Sequence, residues 1–189
     1  MSTSAGPGTI TTVRKALYIL GFLDDADIEW MIAVGARRAL TTGTTLIQQG
    51  QTADALSIVL EGVLTVEVNG EKLADLGAGE IVGEMSLVDA DPPSATVRAA
   101  RPTLVLCVSR AALTQRLNEE GAFGMRFYRA LAAVLSGRLR EANARLSHQA
   151  TTHQDDDLNF GPKLDGNVLD TIHLAGARFD HMLKRLSES

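Results

Sequence analysis

The residues with the clearest chemical potential lie in segment 82–88, VGEMSLV. Gly83 permits a tight backbone turn that can approach a ligand closely. The residues from Glu84 to Val88 can form one helical turn, whose free N–H groups would face an anion. The segment therefore predicts a phosphate cradle, although a Gly-Glu pair before a short helix also occurs by chance in unrelated chains.

A second segment is suited to the wall of the same pocket. Pro92-Pro93 would end the helical turn, because proline lacks a backbone N–H. Residues 94–97 (SATV) are small and β-prone, which favours a strand passing beside the cradle. The two segments together predict an anion site between a turn and a strand.

These segments resemble the cyclic-nucleotide-binding domain family, which includes the effector domains of catabolite-activator-type bacterial regulators. Residues 46–62 (LIQQGQTADALSIVLEG) are similar to the family's strand, glycine turn and strand ending in a glycine, and residues 82–87 to its phosphate-binding cassette. The resemblance covers residues 20–146. It implies a mainly β fold with flanking helices: a cyclic-nucleotide-binding β-roll (a jelly-roll-like double-stranded β-helix), a long C-terminal helix and a helical tail. Residues 82–88 are called the cassette below.

The resemblance assigns ligand contacts to four residues of the cassette. Glu84 would accept a hydrogen bond from the ribose hydroxyl, and amides near Gly83, Met85 and Ser86 would line the phosphate. Glu84 suits a structural role equally well, in which its carboxylate accepts local amide hydrogen bonds and fixes the cassette without a ligand.

Four further residues complete the implied site. Ser94 and Ala95 would close the phosphate pocket, while Val66 and Leu73 would line the pocket for the nucleotide base. Cyclic AMP and cyclic GMP are the candidate ligands, and no other cofactor is indicated.

Pro93 departs from the family's usual pattern, which has an arginine there that pairs with the cyclic phosphate. An arginine fork on a phosphate contributes roughly 1.5–3 kcal/mol, or about ten- to a hundredfold in affinity. Arg98 and Arg101 lie further along the strand, and Arg138 or Arg140 could reach the cassette only from the long helix. Spacing alone makes none of them a convincing substitute.

Three functions follow from these residues. The first is a regulatory sensor with weak, altered or absent cyclic nucleotide binding, and the second is a ligand-independent interaction scaffold on the same fold. A DNA-binding regulator is less favoured, because the net charge is −5 and the acidic tail holds one credible helix. No enzyme is expected: Asp24-Asp25 is more easily a helix cap than a catalytic pair, and no nucleophile motif is present.

The elements that must position the site change character along the chain. Residues 12–40 predict helices broken at Gly21, with an N-cap at Asp24-Asp25. Residues 41–109 predict strands, with a type I′ hairpin at Asn69-Gly70 and a buried Cys107. This order is typical of a β-roll between helices.

After the strands, apolar residues recur at helical spacing over a long segment without proline. We expect a long helix that forms a homodimer seam, in preference to one packed wholly within its subunit. The residues predicted for the seam are Leu131, Leu135, Leu139, Ala142 and Leu146.

The chain divides into four predicted parts. These are a flexible N-terminus (1–11), the domain with its helices (12–149), an acidic linker (150–166) and an amphipathic helix (167–189). The last helix should dock on its own roll, on the long helix or on a partner subunit, and it is also a candidate site for a protein partner. Its apolar seam comprises Val168, Ile172, Ala175, Phe179, Met182 and Leu186.

Charge and composition exclude several other classes. Residues 110–149 contain seven basic and three acidic residues, whereas the residues after 150 contain four basic and seven acidic ones. The acidic tail could therefore lie against the basic segment, although two separate solvent-exposed faces explain this charge distribution equally well. The chain lacks an apolar run near the ~20 residues of a membrane span and a secretory signal, which predicts a cytoplasmic protein. The four histidines do not have zinc-site spacing.

Overall fold

The computed structural model describes residues 18–88, 91–150 and 166–188. Two short helices come first, eight strands and a single helical turn follow, and three helices end the chain. The helices are α1 (Tyr18–Phe22), α2 (Asp25–Val34), α3 (Met85–Val88), α4 (Arg110–Glu119), α5 (Gly121–Ala150) and α6 (Gly166–Ser187). The strands are β1 (Ala36–Leu40), β2 (Thr45–Ile47), β3 (Ala55–Glu61), β4 (Leu64–Val68), β5 (Glu71–Leu76), β6 (Ile81–Val82), β7 (Thr96–Ala99) and β8 (Thr103–Ser109).

Two antiparallel four-stranded sheets form the roll, in the orders β1-β8-β3-β6 and β2-β7-β4-β5. Successive residues of β3 face opposite ways: Val59 lies in the core between the sheets, while Leu56 and Ile58 lie in a second core beneath the helices. Because both faces of β3 are covered, its sequence is a continuous apolar run instead of an alternating one. The predicted mainly β fold with flanking helices is confirmed.

The hairpin at Asn69-Gly70 joins β4 to β5 as predicted. Both residues have positive φ, 53° and 85°, as a type I′ turn requires. Val66 of β4 pairs with Ala74 of β5, and the next pair, Glu67 with Lys72, is shifted in register, so Leu73 is an extra residue at a bulge in β5.

Asp24 and Asp27 form a capping box that starts α2, with backbone-to-carboxylate distances of 2.9 and 3.0 Å, so the predicted cap is confirmed.

The chain between Gly35 and Thr41 differs from the sequence prediction. The predicted helix through Leu40 is wrong, because Ala36–Leu40 is strand β1 and pairs with β8. Pairing with a distant strand overrides a local helical pattern here.

A buried ion cluster ties α2 to α4 and α5. The Asp27 carboxylate is fully buried and accepts hydrogen bonds from Arg116 (2.9 Å) and Arg126 (2.7 and 3.0 Å). Burial alone would raise the pKa of Asp27, but hydrogen bonds from Arg126 and the Asp24 backbone, with the two arginine charges, lower that pKa below its usual value. The cluster therefore sets where the long helix leaves the roll.

Helix α6 packs on α1 and α2 of the same subunit. Ala175, Met182 and Leu186 are buried in the helix-side core, and Phe179 packs against it. The tail therefore docks as predicted, but on the N-terminal helices and not on the surfaces predicted for it, which are the roll, the long helix or a partner subunit. The side chains of residues 166–172 and the structure of residues 151–165 of the acidic linker lie outside the described residues. None of the described helices has both the length and the apolar character needed to cross a membrane.

Candidate functional site

The cassette has the backbone geometry that its sequence predicts. Gly83 adopts φ = 85°, and a Cβ at this position would collide with the carbonyl oxygen of Ala55 on β3. The single turn α3 follows, and the Leu87 N–H donates to the carbonyl of Glu84 at 3.1 Å. The structure therefore brings together Gly83, Glu84, Met85 and Ser86; the Met85 side chain is exposed and that of Ser86 is buried.

Glu84 is almost fully buried, with 3% of the residue exposed. Its carboxylate pairs with the guanidinium of Arg138, which reaches across from α5. A second nitrogen of Arg138 donates to the carbonyl of Ile81, on the strand that leads into the cassette. The acidic residue assigned to the ribose hydroxyl already has a charged partner in this structure.

The position of Arg138 has a signal in the sequence that spacing from the cassette does not reveal. On α5, Leu131, Leu135 and Arg138 follow one another at steps of four and three, so they share one helix face. Leu131 is buried and Leu135 packs against the helix-side core. This face of α5 lies against the roll and carries Arg138 to the cassette.

The other three arginines weighed for the phosphate have partners elsewhere. Arg98 lies 4.0 Å from Glu67 on the neighbouring strand, and Arg101 donates to a backbone carbonyl of the roll at 3.5 Å. Arg140 donates to a serine hydroxyl one turn back along α5 at 2.8 Å. Among the four arginines, Arg138 is the one that contacts the cassette.

Pro93 and its neighbours are held against the loop between β2 and β3. The Pro93 carbonyl accepts a hydrogen bond from Gly50 N–H at 2.9 Å, and Thr96 Oγ1 accepts one from Gln49 N–H at 3.1 Å. Ser94 is exposed and Ala95 half-buried, and both precede strand β7, which begins at Thr96. The backbone here is fixed by contacts that do not depend on the side chain at position 93.

The two residues assigned to the base differ in setting. Val66 is half-buried on β4, pairs with Val97 of β7 and packs against the core between the sheets. Leu73 lies at the bulge of β5, and about half of it is exposed (52%). Val66 is therefore fixed by the sheet, while Leu73 is presented to solvent at its edge.

The histidines show no metal arrangement in the region that the structure describes, where no three or more His, Cys, Asp or Glu side chains converge. His181 pairs instead with Glu29 across the contact between α6 and α2. His148 and His153 lie outside the residues whose side chains are described.

Comparison with solved structures agrees with this geometry. The structure superposes on a cyclic nucleotide-binding domain from Methylobacillus flagellatus with a TM-score of 0.64 and 26% identity, covering 76% of this chain and 86% of that one. The order of helix, roll and long helix is therefore shared with a domain of that name.

Relatives of known name match at the level of sequence. The Pycsar effector protein XpPycTIR of Xanthomonas perforans is 32% identical over 125 residues, covering 64% of this chain and 39% of the relative. The cyclic AMP receptor protein of Thermus thermophilus is 33% identical over 128 residues, covering 64% and 56%. The chain thus spans about two-fifths and just over half the length of these two relatives.

The sequence profile described as "Cyclic nucleotide-binding domain" matches residues 37–120. This match contains all eight strands except the first residue of β1, together with the cassette, the whole of α4 and its C-cap residue Glu120. The profile match, the superposed fold and the geometry of the cassette all agree with a cyclic nucleotide-binding domain. Residues 37–120 therefore match the cyclic nucleotide-binding domain family, and the fold around them is that of a domain of this family.

Proposed function

We propose that this chain is a non-enzymatic, cytoplasmic regulatory module whose domain binds cyclic AMP or cyclic GMP weakly. The observation that carries the proposal is an intact cassette with Pro93 in place of the phosphate-binding arginine. The turn at Gly83 and helix α3 keep the backbone donors of the family, while proline supplies neither charge nor donor. The name of the cyclic AMP receptor protein of Thermus thermophilus supports a cyclic nucleotide as the ligand class.

Restoring the arginine should tighten nucleotide binding. For the unmodified chain we expect dissociation constants above about 10 μM for both nucleotides, and for Pro93→Arg an affinity about ten- to a hundredfold higher. The backbone at Pro93 is held by its carbonyl, which the substitution retains. Calorimetric titration with cyclic AMP and cyclic GMP measures both values.

Pro92→Arg is the matched control, because it adds the same charge one residue earlier and should improve affinity far less. Low-micromolar or tighter binding by the unmodified chain would contradict the proposal. An unchanged affinity in a folded Pro93→Arg variant would contradict the role given to this position, and complete absence of binding in all variants would favour the ligand-independent scaffold.

We also propose that the module is a homodimer, through a face of α5 that keeps Leu139 of the predicted seam but not Leu131 or Leu135. Leu131 is buried in its own subunit and Leu135 packs there too, so these two residues of the predicted seam are not free for a partner. Met125, Tyr128 and Leu139 are exposed instead, at 75%, 49% and 62%. Leu139 lies two heptads after Met125 and Tyr128 lies three residues after Met125, so the three side chains share one side of α5, which a second copy of the helix would cover.

A charge in this seam should separate the subunits. Leu139→Glu would place a carboxylate among apolar partner side chains, and we expect monomers at tens of micromolar, roughly, where the unmodified chain is dimeric. Light scattering coupled to gel filtration gives the mass. Val34→Glu changes an equally apolar exposed side chain on α2 and should leave the dimer intact. A monomeric unmodified chain would refute the dimer.

Helix α6 also supports a role in recruiting a protein partner, because its core-facing residues would be released if a partner displaced it from α1 and α2. This role is compatible with both the sensor and the scaffold. The sensor is favoured by the retained cassette, in which the turn at Gly83 leads directly into α3 and its free backbone N–H groups.

A further inference from the structure

We propose that Arg138 is an internal competitor for the ligand, which holds the cassette closed by occupying the carboxylate of Glu84. This inference rests on the proposed function, because it concerns access of a cyclic nucleotide to that site. It begins from two contacts of one guanidinium, to the Glu84 carboxylate and to the Ile81 carbonyl.

The ion pair removes the acceptor that a ribose hydroxyl needs. Glu84 is 3% exposed, so its carboxylate has little access to solvent or ligand besides the bond to Arg138. A charge-assisted hydrogen bond is roughly twice as strong as one between neutral groups. A ribose hydroxyl must therefore displace a stronger donor, and this cost weakens nucleotide binding in addition to the loss of the arginine at position 93.

The same contact ties the long helix to the cassette. Before Arg138, α5 is anchored by buried side chains, including Phe123, Phe127 and Leu131. After it, Leu139 is 62% exposed and Ala142 is also exposed. Arg138 thus ties α5 to the turn between β6 and α3, and a ligand that takes Glu84 breaks this tie.

Substitution of Arg138 separates competition from other roles. Arg138→Ala should bind cyclic AMP or cyclic GMP about tenfold more tightly than the unmodified chain, because Glu84 is then free to accept the ribose hydroxyl. Arg138→Gln, which keeps most of the side-chain volume and donates a neutral bond, should fall between the two. Arg140→Ala is the matched control on the same helix and should leave affinity unchanged, since Arg140 contacts only its own helix among the described bonds.

The titrations are repeated in the Pro93→Arg background, so that an affinity too weak to measure does not hide the change. Hydrogen exchange of residues 137–150, measured without ligand, should be faster in Arg138→Ala than in the unmodified chain or in Arg140→Ala. Circular dichroism establishes that each variant is folded, and Arg138→Gln carries the test if the alanine variant is not.

Three results would overturn the proposal. An unchanged affinity in folded Arg138 variants would show that Glu84 is not competed for, and a weaker affinity would make Arg138 a partner of the nucleotide phosphate. If no variant in either background binds a cyclic nucleotide, the proposed function fails together with the competition. If the unmodified chain binds a cyclic nucleotide and the Arg138 variants bind it no more tightly, only the proposal that Arg138 competes for Glu84 is contradicted.

Discussion

Asp27→Ala should lower the free energy of unfolding by about 3–5 kcal/mol, because it removes the buried carboxylate that pairs with both arginines and leaves them only the half-exposed Asp24 and Glu120 as acidic partners. The Asp27 carboxylate is fully buried between Arg116 and Arg126. Arg116 cannot simply turn to solvent, since its guanidinium lies against the rings of Trp30 (4.6 Å) and Phe123 (4.4 Å). Breaking the cluster loosens α2, α4 and α5 together.

Urea denaturation of the full chain at neutral pH measures this loss. Asp25→Ala is the matched control two residues earlier: the Asp25 side chain is 86% exposed, and its ion pair with Arg178 should contribute little. A loss for Asp27→Ala no larger than for Asp25→Ala would contradict the role of the cluster.

The stabilisation by Asp27 should also depend on pH. Its pKa in the folded chain is lowered, so its contribution is complete above the unfolded-state pKa of about 3.9 and is lost as pH falls through the folded value. The difference in stability between the unmodified chain and Asp27→Ala should therefore be full at pH 7 and shrink below about pH 4.

The features that the sequence predicts correctly are those fixed by a few neighbouring residues. Asn69-Gly70 determines a tight turn because both positions need positive φ, and Asp24 caps α2 through a residue three positions later. Gly83 is also a local signal, although the collision that forbids a side chain there comes from Ala55 on another strand.

The features that it misses depend on contacts between distant segments. Strand β1 exists because it pairs with β8, nearly seventy residues later. The partner of Glu84 is 54 positions away in the sequence, on a helix whose rotation about its axis is set by the packing of Leu131 and Leu135. That rotation also decides which leucines of α5 are exposed, and periodicity alone does not define it.

The tail is the second place where a single substitution should have a large effect: Met182→Asp should release α6 from α1 and α2. Met182 has no exposed surface, and an unpaired carboxylate there would cost several kcal/mol, which shifts docking by a hundredfold or more, roughly. A helix of 22 residues without its packing partner is marginal in water, so undocking should also unfold it. The backbone amides of residues 174–186 should then lose their protection from hydrogen exchange.

Leu174→Asp is the control for this experiment, because it places the same charge on α6 at a side chain that is 44% exposed. It should leave the protection nearly unchanged, since Arg178 would still donate to Asp25 (2.7 Å) and to the carbonyl of Leu20 in α1 (3.1 Å). Helix α1 also packs against α5, so release of the tail would uncover a helix that supports the one carrying Arg138. If amides 174–186 of the unmodified chain exchange as fast as those of an unstructured peptide, α6 is not docked in solution, and the tail is a free segment that does not act through α1.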